Sequence, residues 1–557
     1  MSTPESLNSF MSALDLKDYF YTLTAEALGE LKLPREAFHI ERCKSPHLGD
    51  YSTNAALVAA RAAGKPPLEL AEAIKSALKP DEDICGDLTV SAPGFINFTI
   101  AAKYLQNQIP SILSANDSYG QTTTGVSQRA LVEFVSANPT GPLTVGHGRQ
   151  AVLGDTVASL LSWHGYKVTR EYYYNDAGRQ MRLLGASVYA RYCEILGVET
   201  TFPEGGYQGD YIRDIAQIIY DHYGDKLKNE AWNPIFKEKA EEIIFADIRK
   251  TLANAGIEMD SYVNEKTFYE DGSIDDIVAT LRDQGLAYDA DGAIWFKTTA
   301  LGKAQDTVLI KSSGEPTYRL PDMAYHCQKV QRGFDLIVDL FGADHQDTYP
   351  DVLAGVKKLG NKTDHIRVLI HQFVTLKSAD EKVKMSTRKA EYVTLQELID
   401  TVGKDVVRYF FIMRNRQSHL NFDLDLATKE SEENPVFYLQ YAHARICNII
   451  KFGQETGAVN PQEPDLSLLT TASELQLLKE IIRFPEITQS ALETLEPQVL
   501  ANYLQELATR FHKFYTDYRV VTDDSTLTAA RLALVAVARV VLRNGLKILG
   551  ISQPERM

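Results

Sequence analysis

Residues 136–149 read SANPTGPLTVGHGR, small residues and prolines running into a histidine set between two glycines. Such a loop, where it ends at the start of a helix, offers backbone N–H groups and a partial positive charge to a phosphate. Gly146 lets backbone come close to a ligand, and His147 can donate a hydrogen bond to a phosphate or ribose oxygen. Thr144 stands three residues ahead of His147. Its hydroxyl can also donate, but it is shorter than an imidazole and never cationic. Much later come Lys384, Met385, Ser386, Thr387 and Arg388, two cations flanking a serine. That arrangement can place positive charge on a departing polyphosphate. Singly, a GH loop and a basic KVKMSTRK turn are ordinary surface features. Their coincidence on one sheet-forming sequence singles them out.

The elements that must position these residues follow from periodicity. RALVEF is a short apolar strand running into the loop. GRQAVLGDTVASLLSWHGY then places Val152, Leu153, Val157, Leu160 and Leu161 on one face of a helix, and KVTREYYY is a second strand. Strand, glycine-bearing loop, helix and strand open a doubly wound parallel sheet, whose ligands sit beyond the carboxyl ends of the strands. FDLIVDLFGADHQ and HIRVLIHQFVTL supply later buried strands. Residues 1–115 are expected to form a small α/β unit, with LTVSAPGFINFTI as two strands around a Pro-Gly turn. SANDSYGQTTTGVSQ is its linker to a sheet domain over 116–433, which carries a helical, tyrosine-rich insertion at about 189–299. Residues 434–557 are predicted to be wholly helical, a four-helix set interrupted by the polar loop NPQEPD.

A length of 557 residues calls for three or four domains. Apolar content of 44% and charged content of 24% are those of a soluble globular chain. The five cysteines include no CxxC pair, so neither a zinc site nor a disulfide framework is expected, and a reducing cytosol fits. The first residues lack the basic flank and apolar run of a secretory signal. ARLALVAVARVVL is interrupted by Arg531 and Arg539 and reads as too short for a bilayer. The net charge of −16 argues mildly against nucleic acid as a partner, although residues 501–557 carry eight basic residues against five acidic ones.

The GH-bearing loop resembles the HIGH signature of class I aminoacyl-tRNA synthetases, and KMSTR resembles their KMSKS signature. VEFVSANPTGPLTVGHGRQAVLGD, YYYNDAGRQM, YRLPDMAYH, GADHQ, NPVFYLQYAHARICNIIK and LRNGLKILGISQPERM narrow the resemblance to arginyl-tRNA synthetases of the bacterial type, over residues 48–557. The resemblance implies an α/β fold with a Rossmann-type parallel-sheet catalytic domain. A small α/β N-terminal domain precedes it, and an all-α anticodon-binding bundle follows. The implied activity is arginine–tRNA ligation: L-arginine and Mg2+-ATP give arginyl-adenylate and pyrophosphate, and the 3′-terminal ribose of tRNA(Arg) takes the arginine. The family generally needs its tRNA for the first step. A cytoplasmic monomer without zinc is implied as well. No dedicated nucleophile is required, because such chemistry rests on positioning and charge stabilisation.

Carried over residue by residue, Thr144, Gly146, His147, Lys384 and Met385 fall at the ATP site, with His147, Lys384, Ser386 and Arg388 in catalytic positions. Glu133, Tyr318 and Asp322 fall where the guanidinium is held, a planar five-donor cation that calls for carboxylates. Asp322 follows Tyr318 by four residues, so one helical face would carry both. Ser136, Asn138, Asp344, His345 and Gln346 fall around the α-amino end. Tyr438, Tyr441 and Arg445, at helical spacing, suit stacking on anticodon-loop bases or equally a packed core stripe. Met557 is placed at the same pocket. Phe95 and Asn97 match a D-loop contact, or a strand core residue and a turn residue. Two departures stand out: Thr144 replaces the first signature histidine, and Ala390 replaces a glycine. Three alternatives stay open: a tRNA-binding paralogue without activation, an unrelated nucleotidyl transferase, and another class I specificity.

Overall fold

Five parallel strands form the central sheet, in the order Ile366–His371, Leu336–Gly342, Arg129–Glu133, Lys167–Tyr174, Ser261–Asn264. They belong to a computed structural model that describes residues 13–35, 37–43, 45–378, 381–382, 393–455 and 464–557. The earliest strand lies in the middle and the chain winds outwards to both sides. The reversal between Arg129–Glu133 and Leu336–Gly342 opens a crevice at the carboxyl edge. Ala130, Leu131, Val132, Ile337 and Val338 are fully buried, as strands covered on both faces require.

Helix Val145–Trp163 follows the first strand. Its pattern predicts one buried face, yet Arg149, Gln150, Asp155 and Thr156 are buried along with the apolar residues. Helices Lys404–Ile412, Pro497–Asp517 and Ser525–Ile548 also pack on it, so most of its surface is covered. Its polar groups are matched accordingly: Arg149 donates to the carbonyls of Gln372, Ser418 and Asn415 at 2.7, 2.9 and 3.0 Å. Arg408 is wholly buried and donates to Asp155 at 2.6 Å, to the Leu549 carbonyl at 3.0 Å and to the Ala255 carbonyl at 3.1 Å.

Residues 13–115 carry helix Ala13–Glu30 and a four-stranded antiparallel sheet, ordered Ile40–Arg42, Tyr51–Thr53, Phe95–Ile100, Cys85–Ser91. Phe20 stacks on Phe98 with ring centroids 4.6 Å apart. The stretch predicted as a linker is tied down: Asn116 accepts from Asn544 at 2.8 Å and from Arg543 at 2.7 Å. Two further ion pairs, Lys479 with Asp50 and Arg42 with Glu486, both at 2.8 Å, join this sheet to the C-terminal helices.

The insertion contains long helices, Asp210–Tyr223 and Ile235–Asn254, but it is not wholly helical. It contributes the edge strand Ser261–Asn264 to the central sheet. It also holds the hairpin Ala287–Ala290 and Ala293–Phe296, whose second strand pairs with Thr307–Ile310. Four-residue strands are too short to impose alternation on a helical background. Past residue 434 there are five helices among the described residues, rather than the predicted four: Pro435–Glu455, Ala472–Ile481, Phe484–Thr494, Pro497–Asp517 and Ser525–Ile548. The second predicted helix divides at Phe484, where Pro485 suits a first turn and not a helix interior. The last helix corrects another expectation. At 24 residues it is long and apolar enough to cross a bilayer, but 67% of its most apolar window is buried within the bundle. Its Arg531 pairs with buried Glu474 at 2.8 Å.

Candidate active site

At the carboxyl edge of the sheet the loop after Arg129–Glu133 meets the first turn of helix Val145–Trp163. Thr144 is the N-cap of that helix, in a capping box with His147. The backbone N–H of Thr144 donates to His147 Nδ1 at 3.1 Å, and the Thr144 hydroxyl oxygen lies 3.2 Å from the same nitrogen. An accepting Nδ1 puts the ring proton on Nε2. Burial pulls the His147 ring down to about 4, partly opposed by Asp344, so near neutrality it is an uncharged Nε2–H donor. Thr144 thus contacts both the helix terminus and His147.

The two glycines beside His147 do different jobs. A Cβ on Gly148 would lie 2.6 Å from Leu395 Cδ1, so that glycine serves packing. A Cβ on Gly146 would meet only the Thr144 hydroxyl, at 3.6 Å, and otherwise project into open space. His371, which sequence did not single out, ends the strand Ile366–His371. Burial pulls its ring down to about 4, and its Nε2 has no hydrogen-bond partner among the described residues.

Glu133 ends the first strand of the sheet. It is buried, its Oε2 pairs with Lys329, and its Oε1 accepts from the Ser136 hydroxyl at 2.9 Å. Its charge is therefore already matched inside the protein. Ser136 also accepts from the backbone N–H of Tyr173 at 3.1 Å. Val135 and Ser136 hold φ of 70° and 43°, a left-handed kink that is costly for a β-branched residue. Asn138 accepts from the Asn175 N–H at 2.9 Å and donates to Gln180 at 3.1 Å.

Asp322 lies in the first turn of helix Arg319–Gln331, and its N–H donates to the carbonyl of Tyr318, the N-cap, at 3.2 Å. Tyr318 itself is 67% exposed, so it stands at the mouth rather than in the wall. Asp322 has no cation within ion-pair distance among the described residues. Burial pushes its carboxyl up to about 7, with Glu265 and Glu133 adding to the rise and His326 and Lys329 opposing it. Asp322, His326, Phe341 and His345 line one narrow crevice. The His345 ring stacks on Phe341 at 5.3 Å, and Asp344 lies 3.7 Å from His345. Gln346 caps the short 3-10 turn Ala343–His345. Lys384, Met385, Ser386, Arg388 and Ala390 lie outside the described residues.

Sequence reasoning missed the groups that govern this edge. Lys329 is fully buried between Glu133 and Asp339, and His326 reaches Asp339 at 3.1 Å. Glu265 accepts from Tyr173 at 3.0 Å, Asn175 at 2.6 Å and Tyr269 at 3.2 Å. A signal was present: Asp339 in LIVDLF and Glu171 in TREYYY are carboxylates in buried strands, which require buried partners.

At the far end of the molecule, Tyr441, Arg445 and Met557 line a cavity of about 650 Å³ with Tyr515 and Arg519. The Arg445 guanidinium lies 4.3 Å from the Tyr441 ring centroid and 5.1 Å from that of Tyr515. Tyr438 packs against His512 at 4.7 Å instead. Phe95 is half-buried. Asn97 is only 2% exposed and donates to Ser91 at 3.0 Å, so its side chain is committed within the sheet rather than presented to a base.

Residues 108–423 match the family described as tRNA synthetases class I (R), catalytic domain. Residues 19–100 match the arginyl tRNA synthetase N terminal domain, and residues 439–557 the DALR anticodon binding domain. The chain is 49% identical to an arginine–tRNA ligase of Salinibacter ruber, over 97% of this chain and 100% of that one. It is 49% identical to one of Desulfotalea psychrophila, over 93% and 95%. The arginyl-tRNA synthetase structure of Thermus thermophilus shares the fold, with a TM-score of 0.73 at 21% identity, over 97% of this chain and 100% of that one. An acidic cleft beside a capped helix terminus, on a sheet flanked by these two outer units, fits that company: the chain belongs to the class I arginyl-tRNA synthetase family.

Proposed function

We propose that the cleft at the carboxyl edge activates arginine with ATP and passes it to the 3′-terminal ribose of tRNA(Arg). The observation that carries this reading is Asp322, a carboxylate with no cationic partner among the described residues, opening beside a helix terminus that can hold phosphate. The guanidinium docks at Asp322 with Tyr318 at the mouth, while Ser136, Asn138 and the 344–346 turn orient the amino-acid end. His147 donates through Nε2 to the nucleotide, and the amides beside Gly146 stabilise charge on phosphate. Lys384, Ser386 and Arg388 are assigned to the departing pyrophosphate, with Met385 alongside. Mg2+ arrives as part of the ATP substrate, and no zinc takes part. The cavity at Tyr441, Arg445 and Met557 takes an anticodon base, and Phe95 touches the D-loop. In this reading the domains divide at about residues 115 and 433, and the chain works as a cytoplasmic monomer.

ATP–pyrophosphate exchange with each amino acid, run with and without tRNA(Arg), tests the proposal. Exchange is expected only with arginine and tRNA together. Exchange without arginine would point to another nucleotidyl transfer, and tRNA binding with no exchange at all would mark a paralogue without activation.

A further inference from the structure

Three carboxylates lie side by side across the central sheet. Asp339, Glu133 and Glu171 are register partners on adjacent strands, and all three are buried. Out of water, each needs a cation. Helix Arg319–Gln331 and its C-cap residue Arg332 supply them. Lys329 pairs with Glu133 and, at 2.6 Å, with Asp339, and its Nζ lies 4.1 Å from the Tyr325 ring centroid. Arg332 grips Glu171 through two hydrogen bonds of 2.6 Å, and Tyr325 adds a third at 2.7 Å. His326 sits between Asp339, 3.1 Å from its Nε2, and the Asp322 carbonyl, 2.7 Å from its Nδ1. Lys329 and Arg332 thus answer the row of three acids, which leaves Asp322 as the remainder, with no cation within ion-pair distance among the described residues. Glu265 is satisfied by neutral donors and adds to the rise of the Asp322 carboxyl.

We propose that Lys329 is a positioning residue that sets this remainder: by matching Glu133 beside the His326–Asp339 pair, it tunes the cleft to accept one side-chain cation. The inference rests on the arginine site proposed above. Lys329 touches no substrate; it acts through Glu133, Ser136 and the kinked loop at Val135.

The test compares Glu133→Gln with the double variant Glu133→Gln, Lys329→Met in steady-state charging of tRNA(Arg). Glu133→Gln leaves the cleft one charge too positive, and its arginine KM is expected to rise on the order of tenfold. Adding Lys329→Met restores the native charge, so the arginine KM falls again by about threefold or more, while the ATP KM stays within about twofold. A purely structural lysine gives the opposite result: the double variant is worse than the single, for both substrates. An arginine KM in the double at or above that of Glu133→Gln overturns the proposal. Lys329→Met alone supplies a second reading if either variant fails to fold. The wall, now facing only His326 and Arg332, takes up a proton, and the arginine KM gains a second proton in its pH dependence. A native-like profile in Lys329→Met overturns the proposal as well. A native protein that shows no arginine-dependent charging overturns the arginine site itself, before any variant is made.

Discussion

Asp322 combines two properties that ordinarily exclude each other, ionisation for binding and burial without a counter-ion. Its carboxyl is raised to about 7, above its ordinary value, mainly by burial. A raised carboxyl favours the protonated form of the empty site, so arginine affinity is present above that value and is lost as pH falls through it. Arginine KM measured between pH 6 and 8 is expected to rise toward the acid side, while the ATP KM changes less. Asp322→Asn is expected to cost about 2–5 kcal/mol of arginine binding, read as a KM increase of ~30-fold or more. The same variant should melt at a higher temperature than the native protein at pH 8 without arginine, because an unmatched buried charge has gone. Thr144 belongs to this scale too. Its replacement by alanine removes a helix cap, with an expected loss of about 1 kcal/mol in denaturant unfolding. Turnover should fall as well, since His147 loses part of what holds its ring.

Within helix Val145–Trp163, one position separates a functional glycine from a packing glycine. Gly148→Ala drives a Cβ into Leu395 and Phe411, with an expected cost of about 1–3 kcal/mol in denaturant unfolding. Gly146→Ala finds open space and a helical backbone, so stability is expected to hold or improve slightly. Its ATP KM should rise nonetheless, because the added methyl occupies the ligand's side of the turn. Equal destabilisation of both variants would contradict this division. Four strands of the central sheet were legible in the chain, because RALVEF, KVTREYYY, FDLIVDLF and HIRVLIH are runs that a buried strand explains, whereas the edge strand Ser261–Asn264 was hidden in the insertion. The hairpin at Ala287–Phe296 was not legible either, since four-residue strands carry too little pattern. Periodicity also hid the full burial of helix Val145–Trp163, whose polar residues read as a solvated face until Arg149 is seen bonded to three carbonyls. At the site, motif positions brought Thr144, His147, Asp322 and His345 to one edge. They did not disclose Lys329, because pairing between a helix and two strands leaves no trace in local spacing.

Across the whole molecule, Arg408 gathers Asp155 of the helix behind the phosphate loop, Ala255 of the insertion and Leu549 near the chain end into one buried knot. Arg408→Met leaves Asp155 buried with Arg170, at 2.8 Å, as its one ion-pair partner among the described residues, and is expected to cost about 3–5 kcal/mol. Pairing it with Asp155→Asn should recover part of that loss in equilibrium unfolding, whereas simple additivity would show that the two groups do not share an energy. The N-terminal sheet is fastened differently, by the ion pairs Lys479–Asp50 and Arg42–Glu486, in which every partner keeps some access to solvent. Electrolyte weakens such clasps along with any grip on a polyanion. A plot of log affinity for tRNA against log salt will therefore mix two processes, counterion release and loosening of the frame that holds both contact surfaces. Its slope overcounts the phosphates engaged unless the same titration is repeated with those clasps neutralised.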